Sequence, residues 1–185
     1  MKTPFGMLLM TSGLLLASQS ALAVNLTITG GSNSFGIDAS QVVTPGVRAG
    51  IGYLHTDDRG HDAQIYSGSL MFSPAIIELD IAVGGRYQYQ DTDLGNGGGL
   101  GIGGSVFSAT PIPALRVGGY GFFTPQGLTH GDVDESIEYG LQGRLRLFGQ
   151  THLFAGYRYL RSDFSGDGNR TLHSGPVLGL NVGLY

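Results

Sequence analysis

The chain has 185 residues, no cysteine, and 14 acidic against 10 basic side chains, which gives a formal charge of −4 with histidine neutral. The lack of cysteine excludes a disulfide-stapled fold, and the acidic balance argues against a nucleic-acid-binding protein, which needs a basic face. Glycine supplies 33 residues, but these are spread through alternating segments and do not form a low-complexity linker. The length suits one domain.

The N-terminus has the layout of a secretory signal peptide. Lys2 supplies a positive charge, an apolar stretch follows, and Ala21 and Ala23 occupy the small positions of a cleavage site. We therefore predict a precursor in which residues 1–23 are the signal peptide and residues 24–185 form a single domain. Past the cleavage site no apolar run approaches the roughly 20 residues of a membrane helix, so only strands are available to span a membrane.

Most of the chain after the signal peptide alternates apolar and polar residues with a period of two. In residues 76–90 every second residue is apolar or aromatic, and charged or amide side chains lie between them. This period indicates a strand with unlike faces. Eight such segments follow one another with short connections, so neighbouring strands should be antiparallel. The first twenty residues after the cleavage site predict a further hairpin, which gives ten strands; eight strands with an N-terminal segment is the alternative.

The connections between strands are of two kinds that strictly alternate. One kind is short and uncharged. The other kind is longer and holds ten of the 14 acidic residues, in segments 55–62, 90–99, 124–136 and 161–171. Short turns at one end and long polar loops at the other are typical of outer-membrane barrels, in which the long loops face outside the cell.

Aromatic residues on the apolar faces give an independent indication. Eight of them fall at the end where the long loops lie: Tyr53, Tyr66, Tyr87, Tyr89, Phe123, Tyr139, Tyr157 and Tyr159. Tyrosine prefers the boundary between hydrocarbon and headgroups, so this arrangement indicates a girdle. We therefore predict an all-β fold, a closed antiparallel up-and-down transmembrane β-barrel with apolar side chains outside and charges inside. A soluble barrel with an apolar core is the alternative.

The charged side chains on the opposite faces are expected to line the lumen. This predicted lumen charge network comprises Arg48, Glu78, Asp80, Arg86, Arg116, Glu138, Arg144, Arg146 and Arg158, with Asp38 as a further candidate. A barrel of about eight strands has an interior that side chains just fill, and guanidinium groups pair well with carboxylates. The network predicts either a rigid polar core or a narrow, porin-like conduit for water and small solutes.

The C-terminal third contains a distinctive block. Residues 156–160 read GYRYL, residues 167–170 read DGNR, and Gly175 and Pro176 follow before the last strand. Together with the earlier segments FGIDAS and HTDDRGHD, this block resembles the YfaZ family of small exported bacterial proteins. The resemblance implies an outer-membrane barrel, uncharacterised or porin-like, with no catalytic residues to carry over. Tyr185 departs from the usual barrel ending because it is out of phase with the apolar positions of the last strand.

Histidines in two acidic loops support an alternative function, an outer-membrane hydrolase with a His/Asp site at the extracellular rim. The residues concerned are His55, Asp57, Asp58, His61 and Asp62 in one loop, and His130, Asp132 and Asp134 in the other. A histidine polarised by a carboxylate can activate water or a serine. No motif fixes a nucleophile, however, so we expect the protein not to be an enzyme.

Two further patterns invite a ligand interpretation. Asp91 and Asp93 begin a segment like a calcium loop, but Ile102 stands where an EF-hand needs a glutamate. The glycine-rich run 95–105 contains a GxGxxG spacing, yet no helix follows it. We expect no metal or cofactor, and we expect these glycines to allow bending and close packing in the lumen.

These patterns together predict an integral protein of the outer membrane of a Gram-negative bacterium. Its expected partners are outer-membrane lipid, lipopolysaccharide and the barrel assembly machinery. We expect a monomer with no nucleic-acid partner.

Overall fold

A computed structural model of the protein describes residues 24–58, 60–74, 79–166 and 168–184. The predicted signal peptide with Ala21 and Ala23 therefore lies outside the described residues, as do Glu78 and Tyr185. The side chain of His61 is likewise not described.

The described residues form eleven antiparallel strands. In chain order these are β1 (Val24–Gly31), β2 (Ser34–Thr44), β3 (Val47–Asp58), β4 (His61–Phe72), β5 (Leu79–Thr92), β6 (Gly95–Ala109), β7 (Leu115–Thr124), β8 (Thr129–Gly131), β9 (Val133–Phe148), β10 (Thr151–Phe164) and β11 (Gly168–Leu184). A short 3-10 turn, Gln126–Leu128, precedes β8. No helix in the described part of the chain is long and apolar enough to cross a membrane.

Ten of the strands close into a ring. Each ring strand pairs with its neighbours in sequence, with β7 pairing directly to β9, and the ring closes where β1 pairs with β11. At this seam the Asn181 amide donates a hydrogen bond to Thr27 Oγ1 over 2.7 Å. The short β8 lies outside the ring, against Gly97–Gly99 of β6. The predicted closed antiparallel barrel of ten strands is confirmed, and the N-terminal hairpin is part of the ring.

The two faces of each strand differ as the alternation predicts. On β5, Val83 and Tyr87 are exposed on the outside, whereas Ala82, Gln88 and Gln90 are buried inside. Apolar exposure continues around the ring: Ile51 of β3 is 70% exposed, Ile102 of β6 63% and Leu141 of β9 71%. The outer surface is therefore apolar, and the polar faces meet in the lumen.

The segments predicted as long loops are mostly strand, so that part of the prediction is wrong. β3 and β4 extend to Asp58 and His61, and β5 and β6 extend to Thr92 and Gly95, which leaves two-residue turns. Glycines with positive φ, 82° at Gly60 and 143° at Gly95, allow these tight turns, and extended pairing then satisfies the backbone. The hairpins therefore project beyond the aromatic positions as ordered sheet.

Four aromatic rings fill the lumen by lying over glycines. Each ring is directly opposite an inward glycine on the next strand, in the pairs Phe107 with Gly118, Phe122 with Gly103, Tyr120 with Gly140, and Phe154 with Gly179. A Cβ added at Gly118 or Gly103 would lie 2.7 Å from the ring, and one at Gly140 would lie 2.6 Å away. The missing side chain is thus the space that each ring occupies, as expected for glycines that permit close lumen packing.

This packing predicts that glycines on the two faces respond differently to an added methyl group. Gly118→Ala places a Cβ against Phe107 and should lower the free energy of unfolding by about 1–3 kcal/mol. Gly68→Ala is the matched control, because a Cβ there would meet no atom within 4 Å; it should change stability by under about 0.5 kcal/mol. Denaturant unfolding of the purified protein measures both. An equal loss of unfolding free energy in the two variants would contradict the packing of Phe107 over Gly118.

Candidate functional site

A carboxylate bound by two arginines lies in the middle of the lumen. Glu138 of β9 is 6% exposed; its Oε2 is 2.6 Å from Arg86 Nη2, and its Oε1 is 3.5 Å from Arg158 Nε. Arg86 also donates to Gln88 Oε1 over 2.9 Å, and its guanidinium lies 4.1 Å from the centre of the Phe122 ring. These contacts join β5 to β9 and β10 across the interior, and we call them the ion-paired layer.

Tyr120 extends this layer on β7. Arg158 Nε donates a hydrogen bond to the Tyr120 hydroxyl over 3.0 Å. The two residues are on strands that flank β9, and both are opposite Gly140, whose missing side chain lets the tyrosine ring cross to the arginine. Tyr120 is not among the residues predicted to line the lumen, although its position in phase with Arg116 marks it as an aromatic residue on a polar face.

An apolar cluster closes the lumen at the end where the extended hairpins lie, which we call the hairpin end. This apolar layer comprises Leu54, Ala63, Ile65, Val133, Leu160, Phe164 and Leu172. Leu160 is fully buried and Phe164 is 2% exposed. The prediction of a lumen lined by charge therefore missed this layer, because its members are apolar residues on strand faces that are otherwise polar.

Uncharged polar side chains separate the two layers. Gln90 Nε2 and Ser162 Oγ both donate to Ser136 Oγ, over 3.2 and 3.0 Å. Nearby, the Thr56 hydroxyl donates to the carbonyl of Leu172 over 2.9 Å, which ties β3 to β11 above the shorter β1–β2 hairpin. The register between β10 and β11 shifts at Leu172, where a bulge turns the side chains of Leu172 and His173 inward. The Leu172 carbonyl is therefore free to accept the hydrogen bond from Thr56.

The remaining members of the predicted lumen charge network lie apart from the ion-paired layer. Arg48, Arg116, Arg144 and Arg146 are near the opposite end of the barrel, the turn end, where Asp80 is directly opposite Phe107. The Arg144 guanidinium lies 3.4 Å from the centre of the Phe107 ring. Asp38 lies on the facing wall beside Gly52 and Ser67. The structure thus brings Arg86, Glu138 and Arg158 together, and no ion pair joins them to another described member of the network.

The loop histidines of the alternative hydrolase site have different partners. His55 Nδ1 lies 3.2 Å from Asp62 Oδ1, and both side chains are largely exposed. His130 Nε2 lies 2.7 Å from the Tyr87 hydroxyl, and the two rings stack with centres 6.0 Å apart. No contact joins these two pairs among the described residues. A further histidine, His173, is 3% exposed and was missed by the sequence analysis because it lies at the bulge in β11.

Several acidic side chains at the hairpin end hold the backbone. Asp132 Oδ2 accepts a hydrogen bond from the backbone N–H of Asn96 over 3.0 Å, and Asp93 Oδ2 accepts one from the backbone N–H of Asp62 over 3.2 Å. Asp134 Oδ1 accepts from the Ser165 hydroxyl over 2.9 Å. Within the described ranges no three His, Cys, Asp or Glu side chains are grouped to hold a metal ion. These carboxylates therefore act as turn and hairpin acceptors.

The ion-paired layer predicts a large difference between two carboxylate substitutions. Glu138→Gln leaves Arg86 and Arg158 buried without the carboxylate that both contact and should lower the free energy of unfolding by about 3 kcal/mol or more. Asp163→Asn is the control, because its 3.8 Å pair with Arg161 is partly exposed and should contribute under about 1 kcal/mol. Unfolding in denaturant at neutral pH compares them. Similar losses would mean that the buried carboxylate is not the main support of the layer.

Comparisons with known proteins place the chain in a family. Among solved structures it is similar to a bacterial polysaccharide outer membrane secretin (11% identity, 85% of this chain and 58% of that chain, TM-score 0.46). It is also similar to the KdgM porin, with 6% identity over 88% of this chain and 99% of that chain and a TM-score of 0.44. LpxR from Salmonella typhimurium is similar with 10% identity over 89% of this chain and 81% of that chain and a TM-score of 0.40. These similarities are too weak to assign a function. No curated protein matches it. The family model described as YfaZ precursor matches residues 6–184, and the chain therefore belongs to the YfaZ family.

Proposed function

We propose that the protein is an integral outer-membrane barrel, exported as a precursor, whose lumen is closed at rest. The observation that carries this proposal is the apolar outer surface around a polar interior. Large apolar side chains are exposed on every ring strand, and water would penalise such a surface heavily. Lipid removes that penalty, and the closed ring leaves no strand edge unpaired, as a bilayer requires.

The tyrosines at the hairpin end support the same placement. Tyr53 and Tyr66 have ring centres 5.2 Å apart, and Tyr139 and Tyr159 have ring centres 5.0 Å apart. The Tyr157 hydroxyl lies 2.8 Å from Ser174 Oγ, so this outward ring keeps a polar partner at its tip. Rings with an apolar body and a hydrogen-bonded tip suit the level of the headgroups.

This placement determines the proposed partners. The apolar exterior would contact outer-membrane lipid, and the acidic hairpins would project among the headgroups of lipopolysaccharide on the cell surface. Insertion would use the barrel assembly machinery of a Gram-negative bacterium. We propose a monomer, because one ring satisfies its own edges, and we propose no nucleic-acid partner because the chain is acidic.

The lumen supports a structural role, or conduction that begins only when a barrier moves, and not a permanently open pore. The ion-paired layer is polar and can hydrate, but the apolar layer lacks groups to hold water, and hydrophobic constrictions block ions by dewetting. The apolar layer is therefore the main barrier, and porin-like conduction would require its displacement. We propose a non-enzymatic role, since His55 pairs with Asp62 and His130 with Tyr87, and no serine hydroxyl of the described residues is hydrogen-bonded to either histidine.

The membrane placement predicts the reactivity of single cysteines, for which the cysteine-free chain is well suited. Ile51→Cys and Leu141→Cys should resist an aqueous maleimide in outer-membrane vesicles and react with a lipid-dissolved probe. Ser32→Cys, at the exposed β1–β2 turn, is the control and should react with the aqueous reagent. Aqueous labelling of Ile51→Cys and Leu141→Cys would exclude a lipid-facing surface.

The closed lumen predicts the behaviour of the barrel in planar bilayers. The wild-type protein should show no stable conductance, whereas Leu160→Ala combined with Phe164→Ala should produce ion conductance by opening the apolar layer. Phe148→Ala is the matched control, since this residue is 72% exposed at the turn end, and the variant should show no conductance. Conductance of the wild type equal to that of the double variant would replace the closed barrel with an open porin-like conduit.

A further inference from the structure

The turn end of the lumen holds basic side chains with little compensation. Arg116 on β7, Arg144 and Arg146 on β9, and Arg48 on β3 all occupy inward positions near this end. None of these four has a carboxylate oxygen within 4.0 Å among the described residues, whereas Arg86 and Arg158 share Glu138. Within the described ranges, carboxylate contacts thus neutralise the arginines in the middle of the barrel but not those at the turn end.

Two of these arginines face each other directly. Arg116 and Arg144 are cross-strand partners in the β7–β9 register. Like charges at directly opposite positions repel and destabilise a sheet. Arg146 lies two residues farther along the same face of β9, beyond the pair towards the turn. An anion held between these guanidinium groups would convert the repulsion into charge-assisted hydrogen bonds.

Arg144 and Arg48 are placed to donate hydrogen bonds to a ligand. The central carbon of the Arg144 guanidinium lies 3.4 Å from the centre of the Phe107 ring, and its Nε and Nη2 are each 3.4 Å from Gln142 Oε1, so the group is oriented before any ligand arrives. Arg48, on the other wall, has its Nε buried without a hydrogen-bond partner in the described structure. A buried guanidinium N–H with no acceptor is costly, and an oxyanion in the mouth would supply one.

We propose that Arg48, Arg116, Arg144 and Arg146 form a binding site for a phosphate group that enters the lumen from the turn end. Guanidinium forks match phosphate oxygens, and a phosphate offers several acceptors to donors arriving from two walls. Among the described residues Asp80 is an acidic side chain whose charge acts on Arg144, and it limits the affinity by opposing the anion. The site does not depend on whether the lumen conducts.

Binding of inorganic phosphate to the purified full chain in non-ionic detergent tests the site. Isothermal titration should show saturable phosphate binding above that of chloride at equal ionic strength. Arg116→Gln combined with Arg146→Gln should weaken the phosphate Kd about tenfold or more, because hydrogen bonds to charged groups are lost. Both side chains are exposed, so folding should be preserved. Arg161→Gln combined with Arg170→Gln removes the same charge at the hairpin end and should leave the Kd unchanged.

A variant that strengthens binding separates a ligand site from a structural cluster. Asp80→Asn removes the opposing charge with little change of shape and should tighten the phosphate Kd by roughly two- to fivefold. Micelles containing phosphatidylglycerol distinguish the source of the phosphate: a response to these micelles alone, lost in the Arg116/Arg146 variant, assigns the site to a lipid headgroup. No saturable binding of either probe, or equal weakening by the Arg161/Arg170 control, would overturn the proposal.

Discussion

A closed ring of ten strands gives each side chain only two environments, and the small volume of the inner one constrains everything else. Away from bulges, side chains alternate between the two, so a polar face cannot avoid the interior when its opposite face is apolar. The interior must therefore accommodate arginines, aromatic rings and carboxylates in a space that side chains nearly fill. Glycine solves the problem locally, since Phe107, Phe122 and Tyr120 each occupy the volume of a side chain absent from the next strand.

The filled interior is divided along its axis into zones of different chemistry. Apolar side chains close the hairpin end, Glu138 and its two arginines cross the middle, and further arginines line the turn end. A buried carboxylate between guanidinium groups is rigid because moving any partner leaves an unpaired charge. The apolar zone, in contrast, is held mainly by packing. Loss of a charge should therefore affect the ion-paired layer, and loss of apolar volume should affect the apolar layer.

Much of the barrel follows from the period of two along the chain. The alternation in residues 76–90 predicts a strand with two unlike faces, and the export signal, the alternating loops and the aromatic girdle indicate which face is outside. The strand number follows from counting similar segments. Contacts across the lumen could not be predicted, because they depend on the stagger between strands that are distant in sequence. Arg86 meets Glu138 at a separation of 52 residues, and nothing in either strand marks the other as its partner.

Local exceptions to the alternation also escaped sequence reasoning. Leu160 sits on a face that carries Arg158, and the bulge in β11 turns both Leu172 and His173 inward, so the apolar layer breaks the pattern that defines the strands. Asp, Asn and Gly favour turns, so the acidic segments are predicted as loops, yet their described residues are mostly strand with turns at the tips. Pairing of the flanking backbone outweighed the turn preference of the individual residues.

The seam between β1 and β11 has a consequence for the order in which the barrel forms. Thr27 and Asn181 are 154 residues apart, whereas other neighbouring ring strands are close in the chain. Hairpins can form early at small entropic cost, but the seam cannot form until the last strand has been delivered, and contacts of long range slow folding. Until that moment the first and last strands each have a free edge, so this protein depends on protection of those two edges during its passage to the membrane.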